Sequence, residues 1–242
     1  MIRGLSQLTV IPVFVAALLF SGSAGAYEVE PVENGGTITG RVILKTGVTT
    51  PDNLEVTKDK GVCGLHVPNE TLIVKDGMVQ HVVISIEGIT AGKSPIDSSY
   101  SLTNLGCRFV PHVQTMLVGA ELSIENDDPL LHTTHATYEG GRTAFNVALP
   151  LQNQKVKRRI RKPGVIRLKC DSGHTWMGAY ILAFRHPYHT VTGESGSFSI
   201  PDIPPGTYTL SVWHEQLAPT TVEVTVEAGR IQSIEIELRD GE

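Results

Sequence analysis

Aromatic residues make up only 6% of this chain, cysteine occurs three times in 242 residues, and no segment sustains a helical period. The missing periodicity excludes a helical bundle. What remains are short runs rich in Val, Ile and Thr, punctuated by 24 Gly and 14 Pro, a pattern that predicts an all-β chain. The net charge of −5 argues against a nucleic-acid partner. There is no Cys-x-x-Cys-His for covalent haem. No nucleophile elbow accompanies the Ser, Asp and His residues, so the chain is not expected to be an enzyme. Long apolar runs are also lacking: Leu8–Phe20 is shorter than the ~20 residues a spanning helix needs. It follows Arg3 and precedes Ala24-Gly25-Ala26, the pattern of a signal peptide over residues 1–26. The mature chain would begin at Tyr27, which offers no thiol for lipid attachment. A periplasmic or secreted protein without stable membrane insertion is expected.

In an oxidising compartment three cysteines leave one over. Cys63 in VCGL and Cys107 in LGCRF have turn-like settings, whereas Cys170 ends the alternating strand VIRLKC. The reading pairs Cys63 with Cys107 and leaves Cys170 free, with an unpaired Cys63 or Cys107 as the alternative. Closing that loop would stabilise the fold by roughly 4 kcal/mol in the chain-entropy model.

Three units are expected after the leader: residues 27–103, 104–186 and 187–242. The first carries GTITGRVIL and ETLIVKDGMVQHVVISIEG, with Lys75-Asp76-Gly77 as a hairpin turn and Ala91–Ser101 as a linker. The second contains the chemistry. The third, with Gly193, GSFSI and IPPGTY, resembles the carboxypeptidase-regulatory or transthyretin-like domain. That resemblance implies a small β-sandwich serving as scaffold, with His214 and Glu215 as packing or surface residues.

In CDSGHTWM, a thiol, an imidazole and a thioether fall at Cys170, His174 and Met177. A soft thiolate, a borderline nitrogen and a weak axial sulfur suit a copper ion that cycles between oxidation states. A second imidazole must come from elsewhere, and His132 follows the alternating Leu122 and Ile124, Asn126 and the turn Asp127-Asp128-Pro129. His135 would face the opposite side of a regular strand and is the alternative ligand or a neighbour of one. His112 is a weaker candidate. His66, His81, His186, His189 and His214 show no metal spacing.

The stretch from Phe109-x-Pro111 through Val118-Gly119, Leu122-x-Ile124-x-Asn126-x-Asp128 and His132, with PGVIRLKC and MGAYILAF, resembles the cupredoxins. The resemblance covers roughly 75 residues in order. It implies a Greek-key β-sandwich flanked by small β-sandwich domains. The implied ligands are His132, Cys170, His174 and Met177, with His174 as the solvent-facing one beside Trp176. Three residues separate Cys170 from His174 where many blue copper proteins have two, which leaves a distorted or red-type site open. The spacing is similar to binuclear copper-A loops, but those need two bridging cysteines.

One-electron transfer with a redox partner such as a c-type cytochrome is therefore the expected function. The partner would dock near His174 or on the basic cluster Lys155, Lys157, Arg158, Arg159, Arg161 and Lys162. A solvated edge strand is the plain alternative for that cluster. Copper binding and delivery is one rival function. A cell-envelope interaction module with a vestigial copper site is the other.

Overall fold

The computed structural model describes residues 26–44, 50–95 and 99–240, so the expected signal peptide lies almost wholly outside the described residues. The first passage of the chain forms β1 (Glu28–Val29), β2 (Gly36–Leu44), β3 (Leu54–Glu55), a one-turn helix α1 (Lys60–Cys63), β4 (His66–Val67), β5 (Val74–Lys75), β6 (Met78–Val79), β7 (Val83–Ile86) and β8 (Ala91–Gly92). The second forms β9 (Tyr100–Asn104), β10 (Phe109–Val110), β11 (Val113–Leu117), β12 (Glu121–Asn126), β13 (His132–Tyr138), β14 (Thr143–Leu149), β15 (Gln154–Arg159), β16 (Gly164–Lys169) and β17 (Gly178–Phe184). The last forms β18 (His189–Val191), β19 (Ser197–Ile203), β20 (Gly206–Trp213), β21 (Thr220–Val226) and β22 (Ile231–Leu238). The chain is all-β, as its composition predicts. Lys75 pairs with Met78 across Asp76 and Gly77, both at positive φ, which is the two-residue hairpin expected from Asp-Gly.

The second passage closes into a sandwich of two sheets, ordered β10-β9-β12-β15 and β11-β17-β16-β13-β14. Between β14 and β16 the chain crosses to the other sheet as β15 and returns to pair β16 with β13. Along β12, Leu122, Ile124 and Asn126 point inward while Glu121, Ser123 and Glu125 do not, a period of two that buries one face. The core of this sandwich includes Leu102, Phe109, Met116, Leu122, Ile124 and Ile166.

The three expected units resolve into two. Strands of the first and last passages share the same two sheets, ordered β18-β7-β20-β21 and β19-β2-β6-β5, with β22 pairing β2. β2 lies antiparallel to β19 over Gly36–Arg41 and parallel to β22 from Thr37 against Ile231 to Leu44 against Leu238. β7 lies between β18 and β20. The separation into 27–103 and 187–242 therefore fails, because neither segment can satisfy its backbone polar groups alone. Both bury side chains into one core that includes Ile38, Val42, Ile84, Ile203, Leu210 and Ile236. Local alternation cannot report this, since each strand reads the same whichever segment supplies its neighbour.

A second departure involves residues 54–67. Val56, Cys63 and Val67 are buried in the core of the other sandwich, alongside Cys107, Leu149 and Cys170. This excursion is fastened by the Cys63–Cys107 disulfide, whose Cα atoms lie 5.4 Å apart. Cys170 is the free, buried thiol. The two sandwiches meet through Val83, Val113 and Leu182, with Tyr180 edge-on to Trp213 at 5.2 Å between ring centres.

Residues 187–242 expressed alone should be unfolded, lacking β2 and β7. Circular dichroism and dispersion of amide resonances test this, and a folded β-spectrum for the isolated segment would refute the shared-sheet architecture.

Candidate metal centre

Strand β13 places the first candidate. Its inward positions are His132, Thr134 and Ala136, so Thr133 and His135 fall on the other face. The loop before it is fixed by Asn126, whose buried amide donates to the carbonyls of Leu130, Leu149 and Leu151 at 2.9, 3.0 and 3.2 Å. Asp128 in the same turn accepts the backbone N–H groups of Gly106 and Cys107, each at 2.8 Å. It also meets His132 Nε2 at 2.9 Å.

Cys170 follows the end of β16 and lies beside β13. Its Sγ is 3.8 Å from His132 Nδ1 and 3.5 Å from His174 Nδ1. These three donor atoms all lie within 4.8 Å of one another, and the three residues are buried. Cys107, Asp128 and His132 form a second such cluster, but the Cys107 sulfur is committed to the disulfide. Met177 is buried in the same core, and its N–H donates to the His174 carbonyl at 3.0 Å, closing the loop into a turn.

Burial opposes ionisation of Cys170, yet its thiol is held down to about 5 by bonds to His132, the N–H groups of Thr133 and Ser172, and His174. Burial likewise works to lower the His132 pKa, but Asp128 and Cys170 outweigh it and raise it. Asp128 is lowered despite its own burial, by His132 and the two N–H groups of Cys107 and Gly106. The result is a series running from thiolate sulfur to imidazole to carboxylate, each group held by the next.

His174 departs from its expected place at the surface. It is fully buried, and its Nε2 meets Asp59 Oδ2 at 2.8 Å. Asp59 lies just before α1 in the 54–67 excursion, with φ of 52°. Beside it, Lys58 Nζ donates to the Ser172 carbonyl at 2.6 Å. Gly173 makes room for this approach: a Cβ there would sit 3.2 Å from Lys58 Cδ, and its φ of +93° is one that favours glycine. Trp176 donates through Nε1 to the Cys107 carbonyl at 3.0 Å, its ring 5.3 Å from that of His174. Trp176, expected beside a solvent-facing His174, is thus bound to the backbone of a disulfide cysteine.

His135 lies outside the group, with Nδ1 2.7 Å from Asp171 Oδ2 and Nε2 3.1 Å from Thr143 Oγ1. His112 is also apart, buried against Glu215 at the junction of the sandwiches. Sequence reasoning missed Asp59 and Asp128 as partners of the two imidazoles. Asp128 had a local signal, four residues before His132 behind a turn-forming Asn. Asp59 had none, being 115 positions from His174. The basic cluster lies on β15, at the edge of its sheet, with Arg161 and Lys162 just beyond the strand. There Lys155 pairs with Glu125 at 2.9 Å and Lys157 with Glu121 at 2.7 Å, so β12 answers part of the charge.

The donor set fits copper by its chemistry: one ionised soft sulfur, two imidazole nitrogens facing it, and each ring's other nitrogen held by a carboxylate, the arrangement that orients metal-binding histidines.

A family model, the carboxypeptidase regulatory-like domain, matches residues 164–239. The matched range opens in β16 and β17, inside the sandwich that holds Cys170, and continues through the second sandwich to β22. No curated protein matches. Among solved structures, a purple cupredoxin from Nitrosopumilus maritimus is 21% identical over 36% of this chain and 100% of its own, with a TM-score of 0.31. The amicyanin of Paracoccus versutus is 14% identical over 38% of this chain and 85% of its own, with a TM-score of 0.32. A copper-containing nitrite reductase from Thermus scotoductus is 19% identical over 38% of this chain, with a TM-score of 0.31, and the likeness spans 24% of that enzyme. The chain thus carries a carboxypeptidase regulatory-like match towards its C-terminal end, and each of these three solved structures is similar to less than half of it.

Proposed function

We propose that the protein is an exported mononuclear copper protein of one-electron transfer, its metal held by Cys170, His132, His174 and Met177. The observation that carries this reading is the buried Cys170 sulfur with Nδ1 of both imidazoles turned toward it. Copper in such a donor set changes oxidation state with little change in its ligands. Cys170 supplies a sulfur already ionised at neutral pH. His132 and His174 engage Asp128 and Asp59 through Nε2, which leaves each Nδ1 available to the centre. The thioether of Met177 is the weak fourth donor. A periplasmic location is consistent with the Cys63–Cys107 disulfide, which persists in oxidising compartments.

The cover of Asp59 over His174 means that electrons enter and leave past the 54–67 segment rather than through an exposed imidazole edge. A redox partner such as a c-type cytochrome would dock over that cover, or on the β15 edge. Since Glu121 and Glu125 answer Lys155, Lys157 and Arg159, docking at that edge falls to Arg158, Arg161 and Lys162. The same cover favours one alternative, copper retention and delivery, in which the segment closes over a cargo ion.

Visible and EPR spectra with cyclic voltammetry of the copper-loaded mature chain separate these readings. Cys170→Ala should abolish the intense thiolate-to-copper band. Met177→Leu should keep that band and raise the reduction potential, since losing a donor destabilises Cu(II) more than Cu(I). His132→Ala should damage the site far more than His135→Ala. Copper that is lost on reduction, or bound with no thiolate band, would instead establish delivery.

The metal-free protein gives an independent check. The Cys170 pKa is depressed, so its stabilising contribution is present above the ordinary thiol pKa and is lost as pH falls through about 5. His132, raised, contributes below its ordinary pKa and loses that contribution as pH rises through its folded value. Ultraviolet thiolate absorbance should therefore titrate with a midpoint near 5. A midpoint at the ordinary thiol value would remove the ion pair.

A further inference from the structure

Three histidines from distant parts of the sequence gather where the two sandwiches meet. His112 lies between β10 and β11 of one sandwich, His81 precedes β7 of the other, and His214 and Glu215 follow β20. His112 and Glu215 are both buried and in contact through Nε2 and Oε1. The His81 ring lies 5.3 Å from that of His112 between centres.

The tautomers can be read from the partners. One ring nitrogen of His81 bonds the backbone carbonyl of Glu70, while Nδ1 is buried without a hydrogen-bond partner. The N–H is therefore spent on the carbonyl, and Nδ1 presents an unshared pair, as metal-bound histidines do when their other nitrogen is oriented by a carbonyl. His214 is the complement. Its Nδ1 accepts the N–H of Gln216 at 3.2 Å, which puts the ring proton on Nε2, and that atom is buried with no acceptor. A buried donor and a buried acceptor that both lack partners are costly, so the fold favours a ligand that satisfies both.

We propose that His81 Nδ1, His112 Nε2 and Glu215 Oε1 form a second metal site for a borderline divalent ion, Zn2+ or Cu2+, which on binding releases to solvent the proton shared by His112 Nε2 and Glu215 Oε1, with His214 Nε2–H donating to a water in the ion's fourth position. Two imidazoles and a carboxylate with one open place are a donor set for such ions, distinct from the thiolate centre. The carboxylate offsets half of the ion's charge. Burial pushes the His214 pKa down to about 4, assisted by His81 and His112, and burial followed by His112 lowers that of His81, so both rings are neutral at pH 7. These donor atoms do not all lie within 4.8 Å of one another as those of the thiolate centre do, so the ion would pull His81 toward the His112–Glu215 pair. A cleft of about 590 Å3 opens beside His112 and Glu215 and continues to Cys170 and Met177, giving the ion a way in.

Cobalt(II) distinguishes the two sites in the intact mature chain, because only the Cys170 centre can give a thiolate charge-transfer band. On titration that band should saturate at about one equivalent, while ligand-field absorption grows to about two. In His81→Gln and in Glu215→Gln the second equivalent should bind at least ~10-fold more weakly, with the thiolate band unchanged. His81 is only half-buried, so its substitution tests the site even if Glu215→Gln disturbs folding. Ligand-field absorption that stops at one equivalent in the unaltered protein would overturn the proposal, as would a second equivalent that survives both substitutions. A protein without the thiolate band but with the histidine-dependent equivalent would leave this site standing and remove the Cys170 centre.

Discussion

A negative charge on sulfur in the interior of a β-sandwich is the constraint around which this molecule is arranged. Burial alone would drive the Cys170 proton back on, because an unpaired buried charge is far too costly to keep. Two N–H groups, from Thr133 and Ser172, and two imidazoles reverse that outcome. The imidazoles then need acceptors of their own, which Asp128 and Asp59 provide. Asp128 is in turn held by the N–H groups of Gly106 and Cys107. Each buried polar group is satisfied by the next, and the series leaves the core at the disulfide on one side and at Asp59 on the other.

The 54–67 excursion packs against the loop after Cys170. Gly173 turns there at positive φ, and the space above it is taken by the Lys58 stem. Lys58 and Asp59 then clamp the Ser172 carbonyl and the His174 ring. A segment with so few strand bonds would not hold this position by backbone pairing; the Cys63–Cys107 bridge and the burial of Val56 and Val67 hold it. The His174 ring is consequently buried beneath this segment rather than open to solvent.

The second sandwich is more than an appendage to the first. Its central strands, β2 and β7, come from one end of the chain and most of their neighbours from the other. The sandwich bearing Cys170 is therefore an insertion between two halves of its companion. This closes both chain directions around one junction, and it is at that junction that His81, His112, His214 and Glu215 converge.

By itself the sequence determined what depends on short-range chemistry. The all-β class follows from alternation and turn residues, and the Asp76-Gly77 hairpin from the one dipeptide that adopts its φ angles without cost. The loop from Cys170 to Met177 was legible because its donors are a few residues apart, and the opposite faces of His132 and His135 follow from the strand period. The pairing of Cys63 with Cys107 was one of the alternatives that chain composition allowed, and geometry selected it. Only the tertiary structure decided what depends on long-range pairing: that residues 36–86 and 189–238 share sheets, that Asp59 reaches His174, and that three histidines with no sequence spacing meet at one junction. The physical reason is the same in each case. A strand or a lone polar residue carries no record of which distant partner satisfies it, and that choice is made when the backbone hydrogen bonds and the buried charges of the whole chain are satisfied together.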